Sequence, residues 1–400
     1  PTHHRLLPRT GLTTLPTLHS QHEELSAAID ELALIDHHCH SLFSTPLTDQ
    51  QVENHLTESP DARAARTTTF DSNLGLATLR WAGPLLGLDP PVSREAYLEA
   101  RRSISPRDLI SKSLAAAGVS DLLVDTGFHP DDLVDLEELS KLSPARVHEI
   151  ARIETRAEEL LAATDSPEQF LQAWPELLSN LDPNVVGLKS VAAYRCGLDL
   201  AGTHPSRAEV LFALGHQLQQ RPLRLTDPTV ISYLVITAIE ITRLPVQFHI
   251  GIGDPDVRLA TGHPGHLQNL IEFALRLETP ICLLHCYPYH REAALLTHDY
   301  PNVYLDLGLA LNFVGPRASE ILSETLELAP YAKLLYSSDA FGLAELNYLG
   351  ALQFRRSLTD QLTSLLKDAY LTLDTAIRLA KLMGRETAKT VYRLPVTEAR

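Results

Sequence analysis

The chain has 400 residues, of which 44% are hydrophobic, and it carries a formal net charge of -16. This length and composition suit one large α/β domain or two ordinary ones. The acidic balance argues against nucleic acid and anionic membrane surfaces as partners. Four cysteines without a paired CxxC motif predict a reducing, cytoplasmic location. The sequence has no apolar run of about 20 residues, so we expect no membrane span.

The predicted elements begin with an irregular lead-in and an amphipathic helix, which together form an N-terminal segment over 1–31. A strand follows at 32–38. The next stretch, 45–118, carries helical patterns near 47–57, 61–82, 92–101 and 105–117 and no strand pattern. We interpret it as a helical insertion and expect it to act as a lid, with Phe70 and Trp81 as candidates to line a pocket.

From residue 119 onward, strands and helices alternate. Seven further strands are predicted, at 119–125, 147–153, 184–190, 246–251, 280–285, 302–306 and 333–337. Eight β-then-α units with apolar strands predict an α/β fold, a (β/α)8 TIM-like barrel over 32–390, followed by a C-terminal tail over 391–400. An open doubly wound sheet is the alternative, but no Gly-rich dinucleotide loop supports it.

The ends of these strands carry the residues of a candidate site, because side chains at the C-terminal ends of barrel strands meet at one face. The first strand ends in His38-x-His40, and residues two apart on a strand point to the same side. Later strands end in Lys189, His249, His285 and Asp339. Imidazoles that converge with a carboxylate suit a borderline divalent cation such as zinc.

Each of these residues also has an ordinary structural explanation when taken alone. The chain has 18 histidines, so some reach strand ends by chance, and a buried histidine is more often a hydrogen-bonded core residue. Asp339 could cap the following helix, and Lys189 could pair with a buried carboxylate. The ordered recurrence on strands one, four, five, six and eight is what favours a metal site.

Longer segments carry a family resemblance. These segments are Phe-His249-Ile-Gly-Ile-Gly-Asp254, Leu-Leu-His285-Cys-Tyr-Pro-Tyr289 and Leu-Leu-Tyr-Ser-Ser-Asp339-Ala. They resemble the amidohydrolase-2 branch of the amidohydrolase superfamily, and within it the amidohydrolase domain of FluG/nodulin-type glutamine-synthetase fusion proteins. The resemblance covers about residues 30–390 and is most specific from 184 onward. Ser337 stands where the family motif has glycine.

The resemblance implies the roles of the strand-end residues. With one ion, His38, His40 and either His249 or Asp339 are the ligands, and His285 orients water or substrate. Zinc is the favoured metal, with manganese and iron as alternatives. Asp339 takes a proton from water and passes it to the leaving group.

With two ions, His249 and His285 hold the second ion. Lys189 then either bridges both ions as a carbamate formed with CO₂ or stays an amine that contacts substrate. The catalytic residues implied in this way are Asp339, His285 and Lys189.

Six residues near strand ends are candidates to bind substrate. Arg195 could form a forked contact with a carboxylate, although a salt bridge to another part of the chain explains it equally well. The six are Arg152, Glu154, Tyr194, Arg195, Gln247 and Asp254.

The leading functional hypothesis is a metal-dependent hydrolase that cleaves a C–N, amide-type bond of a small polar, carboxylate-bearing substrate. A metal-dependent decarboxylase of a small carboxylic acid is the alternative, and an isomerase of a sugar acid is a weaker one. A catalytically silent binding protein is the remaining class. The expected partner is a small molecule, and assembly into a homo-oligomer stays open.

Overall fold

The computed structural model describes residues 18–128, 132–219 and 223–395. Seven strands form one sheet with the order β1-β2-β3-β4-β5-β6-β7, and each strand is parallel to its neighbours. The strands are β1 (Leu34–Cys39), β2 (Val119–Asp125), β3 (Arg146–Arg152), β4 (Val185–Ser190), β5 (Val246–Ile250), β6 (Ile281–His285) and β7 (Val303–Leu305). Every residue of β1, β5 and β6 is buried, as expected for parallel strands covered on both faces.

Helices precede β1 and fill the connections between strands. Those up to β4 are α1 (Leu18–Asp30), α2 (Asp49–Asn54), α3 (Asn73–Ala77), α4 (Arg94–Ser103), α5 (Pro106–Ala117), α6 (Leu136–Leu142), α7 (Ile153–Ala162) and α8 (Pro167–Ser179). Those after β4 are α9 (Arg207–Gln217), α10 (Pro228–Thr242), α11 (Gln268–Arg276), α12 (His290–Asp299), α13 (Gly308–Val314), α14 (Ala318–Thr325), α15 (Glu345–Lys367), α16 (Leu373–Lys381) and α17 (Thr387–Val391).

The predicted eighth strand is not present as a strand in the described part of the chain. Within 333–337 there is a single bridge to Leu305, and the amide of Leu335 donates to the Leu305 carbonyl at 2.9 Å. On the other side, the amide of His37 in β1 donates to the Tyr336 carbonyl at 3.1 Å. The segment therefore runs between β7 and β1 and bonds to both, but its ladder is too short to count as a strand.

The chain between β1 and β2 contains helices α2 to α5 and short 3₁₀ and π segments. Its apolar side chains form a hydrophobic cluster of their own with residues near the start of α15. Glu345 of α15 binds this cluster to the helix. Its carboxylate accepts hydrogen bonds from the Tyr97 hydroxyl at 2.8 Å and from Nε of Arg101 at 2.7 Å. These contacts attach the segment to the start of α15.

The C-terminal end of the described chain is part of the core and not a tail. Tyr392 is 3% exposed and Leu394 is 5% exposed. The hydroxyl of Tyr392 contacts Nδ1 of His37 at 2.9 Å and receives a hydrogen bond from the Gln247 amide at 2.9 Å. The predicted boundary at residue 390 is therefore placed too early, while residues 396–400 lie outside the described part.

Candidate metal centre

A cavity of about 410 Å³ opens at the C-terminal ends of the strands. All six residues that the sequence predicted as metal ligands line it. They come from β1 or the residue after it, β4, β5, β6 and the extended segment after β7: His38, His40, Lys189, His249, His285 and Asp339.

Asp339 lies at the centre of this group. Its Oδ1 is 3.0 Å from Nε2 of His38 and 3.4 Å from Nε2 of His40, and its Oδ2 is 3.4 Å from Nε2 of His285. Burial alone would raise the pKa of Asp339, but the neighbouring His285 and His38 hold it well below its usual value. The carboxylate is therefore ionised and faces three imidazoles at once.

The unpaired atoms of the site fit a divalent cation. Nε2 of His38 and Oδ1 of Asp339 lie 3.0 Å apart, yet each is a buried atom without a hydrogen-bond partner in the described part of the protein. Burial, together with Lys189, lowers the pKa of His38 to about 3, so its ring is neutral, which is the form that binds metal. Two groups have ligand atoms within 4.8 Å of one another: His38, His285 and Asp339, and His38, His40 and Asp125.

His38 is oriented from below by Gln247. Oε1 of Gln247 accepts from Nδ1 of His38 at 2.8 Å, and its amide nitrogen donates to the His37 carbonyl at 2.7 Å. Gln247 is fully buried and does not line the cavity. The predicted substrate-binding role of Gln247 is therefore corrected: its side chain fixes the ring of a ligand candidate.

Asp306 fixes the backbone at the end of β6, where His285 lies. Its Oδ1 accepts from the amides of His285 at 2.9 Å and Gly308 at 2.8 Å, while Oδ2 lies 2.8 Å from Nε2 of His37. His285 has φ of 65° and Asp339 has φ of 49°, in the left-handed region that non-glycine residues rarely adopt. Backbone strain of this kind concentrates at functional sites.

Asp125 at the end of β2 is a candidate ligand that sequence reasoning missed. Arg152 forms a two-pronged contact with it, from Nη2 to Oδ2 at 2.7 Å and from Nε at 3.2 Å. Burial would raise the pKa of Asp125, but Arg152 and His40 keep it far below its usual value. The rule that pointed to the other ligands, the last residue of a strand, also points to Asp125.

Lys189 is 2% exposed and faces the cavity from the end of β4. Burial lowers the pKa of Lys189 to about 8, although Asp125 and Asp339 act in the opposite direction. A larger fraction of the amine is therefore neutral at physiological pH than for an ordinary lysine.

His249 and Tyr194 form a second contact group beside the Asp339 cluster. The Tyr194 hydroxyl is 3.1 Å from Nε2 of His249, and the His249 ring lies 4.8 Å from that of His285. Burial and His285 lower the pKa of His249 well below its usual value, so this ring is neutral as well. His249 thus lines the cavity as a neutral ring close to a phenol.

Among the predicted substrate-binding residues, Arg152, Tyr194, Arg195 and Asp254 line the cavity. Arg195 is engaged by Glu158, with Nη1 to Oε1 at 2.7 Å, which is the salt bridge that the sequence left as the equal alternative. Arg152 is engaged by Asp125. Neither arginine therefore presents an unpaired guanidinium to a substrate carboxylate.

Glu154 does not reach the cavity, which corrects its predicted role in substrate binding. It is fully buried, and its Oε1 accepts from the Ser190 hydroxyl at 2.7 Å and the Val191 amide at 3.1 Å. Burial raises its pKa. Glu154 therefore fixes the backbone that follows Lys189.

The aromatic candidates of the insertion also lie elsewhere. Phe70 is 2% exposed and packs on Tyr97 with ring centroids 5.7 Å apart. Trp81 contacts two guanidinium groups, since Cζ of Arg80 and Cζ of Arg356 lie 4.1 and 4.9 Å from its ring centroid. The cavity is lined instead by Phe128 and Phe341, among other residues.

Two charged loop residues at the cavity were also missed. Glu58 lies in the insertion and Arg224 in the chain before α10. Neither residue lies at the end of a predicted strand or belongs to a spaced motif, so the sequence around them does not indicate a place at the cavity.

The sequence pattern of the family described as "Amidohydrolase" matches residues 201–393. Protein fluG of Emericella nidulans is 31% identical over 399 residues, covering 90% of this chain and 46% of that protein. The chain is thus similar to the amidohydrolase family over its C-terminal half. It spans about half the length of fluG.

Two solved structures are similar in fold to this chain. A protein of Lactobacillus casei ATCC 334 that is described as a proposed metal-dependent hydrolase has a TM-score of 0.83 and 29% identity, covering 92% of this chain and 97% of that one. Uronate isomerase of Thermotoga maritima has a TM-score of 0.63 at 14% identity, covering 93% and 97% of the two chains. That likeness concerns the fold alone. In the described ranges, no helix of this chain is both long and apolar enough to cross a membrane.

Proposed function

We propose that this chain is a metal-dependent hydrolase that cleaves a C–N, amide-type bond of a small polar substrate. The observation that carries the proposal is the position of Asp339, whose two carboxylate oxygens lie 3.0 to 3.4 Å from the Nε2 atoms of His38, His40 and His285. A carboxylate in this position can hold an ion and also accept a proton from water.

His38, His40 and Asp339 would hold the first ion, most suitably zinc, with manganese and iron as alternatives. The ion supplies the acidification of water and the polarisation of a carbonyl group. Asp339 accepts the proton from water and delivers it to the leaving nitrogen. Gln247 keeps Nδ1 of His38 protonated and its Nε2 free.

His249 and His285 would hold a second ion, with Lys189 between the two. The buried Lys189 amine, with a pKa of about 8, can react with CO₂ and become an anionic carbamate. This modification would turn a poor ligand beside cations into an oxygen donor. We include the carbamate in the proposal because the full set of six side chains lines one cavity.

We further propose that residues 32–394 form one barrel of eight units, with 334–339 in the place of the eighth strand. Its hydrogen bonds to Leu305 and His37 support this. Residues 45–118 would cover the catalytic face. A cytoplasmic location remains part of the proposal.

Metal analysis of the purified protein tests the centre. About two ions per chain, with the mass of a carbamate on Lys189, are expected. His38→Ala should lose most of the bound metal, whereas His204→Ala, which alters a surface histidine paired with Glu240, should retain it. Equal metal content in both variants would refute the proposed centre.

A substrate screen then tests the reaction. N-acyl and γ-glutamyl amides should be hydrolysed with release of an amine. Aromatic carboxylic acids and sugar acids in the same screen test decarboxylation and isomerisation. If those acids were turned over and no amide released an amine, the hydrolase proposal would be wrong and a decarboxylase or an isomerase would take its place.

A further inference from the structure

The insertion contributes a single side chain to the cavity of the metal centre, and that side chain is Glu58. It follows α2, whose Glu53 is held by Arg94 at 2.9 Å and by the Thr69 amide at 3.1 Å. The backbone around Glu58 is therefore attached to a braced part of the insertion. Whatever the insertion adds to substrate recognition in this cavity depends on one carboxylate.

Glu58 and Asp254 lie where two cavities meet. Both residues line the 410 Å³ cavity of the metal centre and a neighbouring one of about 280 Å³, and Asp339 and Phe341 also line both. A substrate that is cleaved at Asp339 can therefore extend past Glu58 and Asp254.

The other charges of the cavity are already compensated. The three arginines that line it are paired with Asp125, Glu158 and Asp256, at 2.7, 2.7 and 2.8 Å. Asp339 and Lys189 belong to the proposed metal set. In the described part of the chain, this leaves Glu58 and Asp254 as the carboxylates of the cavity without a cationic partner.

A cation near Glu58 would offset the repulsion between its carboxylate and the neighbouring carboxylates. Burial, together with repulsion from Asp339 and Asp254, raises the pKa of Glu58 to about 7. One oxygen of Asp254 accepts the Asp256 amide at 2.8 Å, which fixes its orientation. A protonated amine near the two carboxylates would gain a charge-assisted hydrogen bond from each that it reaches.

We propose that Glu58 and Asp254 recognise a protonated amine on the substrate, so that the substrate class is a cationic amide. This inference rests on the proposed hydrolase function. It differs from the expectation of a carboxylate-bearing substrate, which requires an unpaired Arg195, whereas Arg195 is paired with Glu158. Glu58 and Asp254 are thus specificity-determining residues.

Three matched amides test the inference: monoacetylated diaminobutane, N-pentylacetamide and acetamidopentanoate, which are cationic, neutral and anionic. Their kcat/KM values are compared where they are hydrolysed, and their calorimetric dissociation constants where they are not. Failure of hydrolysis therefore counts against the proposed function while the charge preference is still measured. The cationic amide should be favoured by about tenfold or more.

Glu58→Gln and Asp254→Asn should each reduce that preference by about tenfold, while leaving the metal content unchanged. Glu95→Gln is the matched control, because Glu95 is a carboxylate of the insertion whose side chain is 76% exposed. An equal or stronger preference for the anionic amide would overturn the inference. A preference for the cation that survives in both variants, or no measurable binding of the cation by the metal-loaded protein, would also overturn it.

Discussion

Nδ1 of His38 donates a hydrogen bond to Oε1 of Gln247 at 2.8 Å, and this contact leaves Nε2 of His38 free to face Asp339. Gln247 is itself fixed, because its amide nitrogen donates to the His37 carbonyl and to the Tyr392 hydroxyl. The tautomer and the orientation of a ligand candidate are thus set by a residue that does not touch the cavity.

Gln247→Ala should therefore lower metal affinity by about 10- to 100-fold, as is typical when the partner of a ligating histidine is removed. Titration against a competing chelator measures the effect. Gln50→Ala, at an exposed glutamine of α2, is the control and should bind metal as the wild type does. Unchanged affinity in Gln247→Ala would show that His38 needs no support.

Asp339→Asn should lower kcat by at least about 100-fold, because an amide cannot accept the proton of the attacking water. Metal content and kcat are measured on the same preparation. A variant that holds metal but is inactive assigns the proton transfer to Asp339. A variant that holds metal and keeps its activity would contradict this role.

Arg152→Ala should destabilise the protein by about 3–5 kcal/mol, because it leaves the fully buried Asp125 charge without its partner. Urea unfolding of the metal-free protein measures the change. Arg291→Ala removes an arginine that is 54% exposed and paired with Glu327, and it should leave the midpoint unchanged. Similar unfolding midpoints for both variants would show that the Asp125–Arg152 pair does not stabilise the fold.

The stability of the metal-free protein should depend on pH through Glu58. Its carboxyl has a pKa of about 7 in the folded protein and an ordinary value of 4.5, so the folded state holds a proton that the unfolded chain has released. Its contribution to stability is complete below about pH 4.5 and is lost as the pH rises through 7.

Glu58→Gln, which cannot ionise, should consequently be more stable than the wild type at pH 8 by about 1–3 kcal/mol, with the gain disappearing toward pH 5. Denaturant titrations at several pH values measure the difference. Glu95→Gln should show no such crossing. If the gain in stability of Glu58→Gln were the same at every pH, the ionisation of Glu58 would not be its cause.

That the six ligand candidates lie at one cavity could be predicted from the sequence, because their positions follow from the ends of the strands. Each predicted ligand stands at or next to the end of an apolar run, and parallel strands bring these ends to one face. His38, His249 and His285 illustrate this, and Asp125 could have been found by the same rule. The helices of the insertion were also recognisable, since Ser105-Pro106 starts α5 and Gly118 ends it.

The rest depended on contacts between residues that are distant in sequence. Gln247 lies two residues before His249, and this spacing predicts that its side chain shares the face of His249. Its side chain is instead bonded to His38, which lies 209 positions away in the sequence. The role of Arg195 cannot be decided from the sequence, because its partner Glu158 lies 37 positions away. The apolar run at 333–337 suggested a strand, but the number of hydrogen bonds that a run forms with its neighbours cannot be read from its own residues.

Tyr392 gives the centre a dependence on the order of synthesis. Its hydroxyl contacts the side chains of His37 and Gln247, beneath a ring that comes from residue 38. His37 and His38 are synthesised more than 350 residues before the phenol that completes their surroundings. The surroundings of the His38 ring are therefore complete only after residue 392 has been synthesised, and the early strands precede the residues that fix their final geometry.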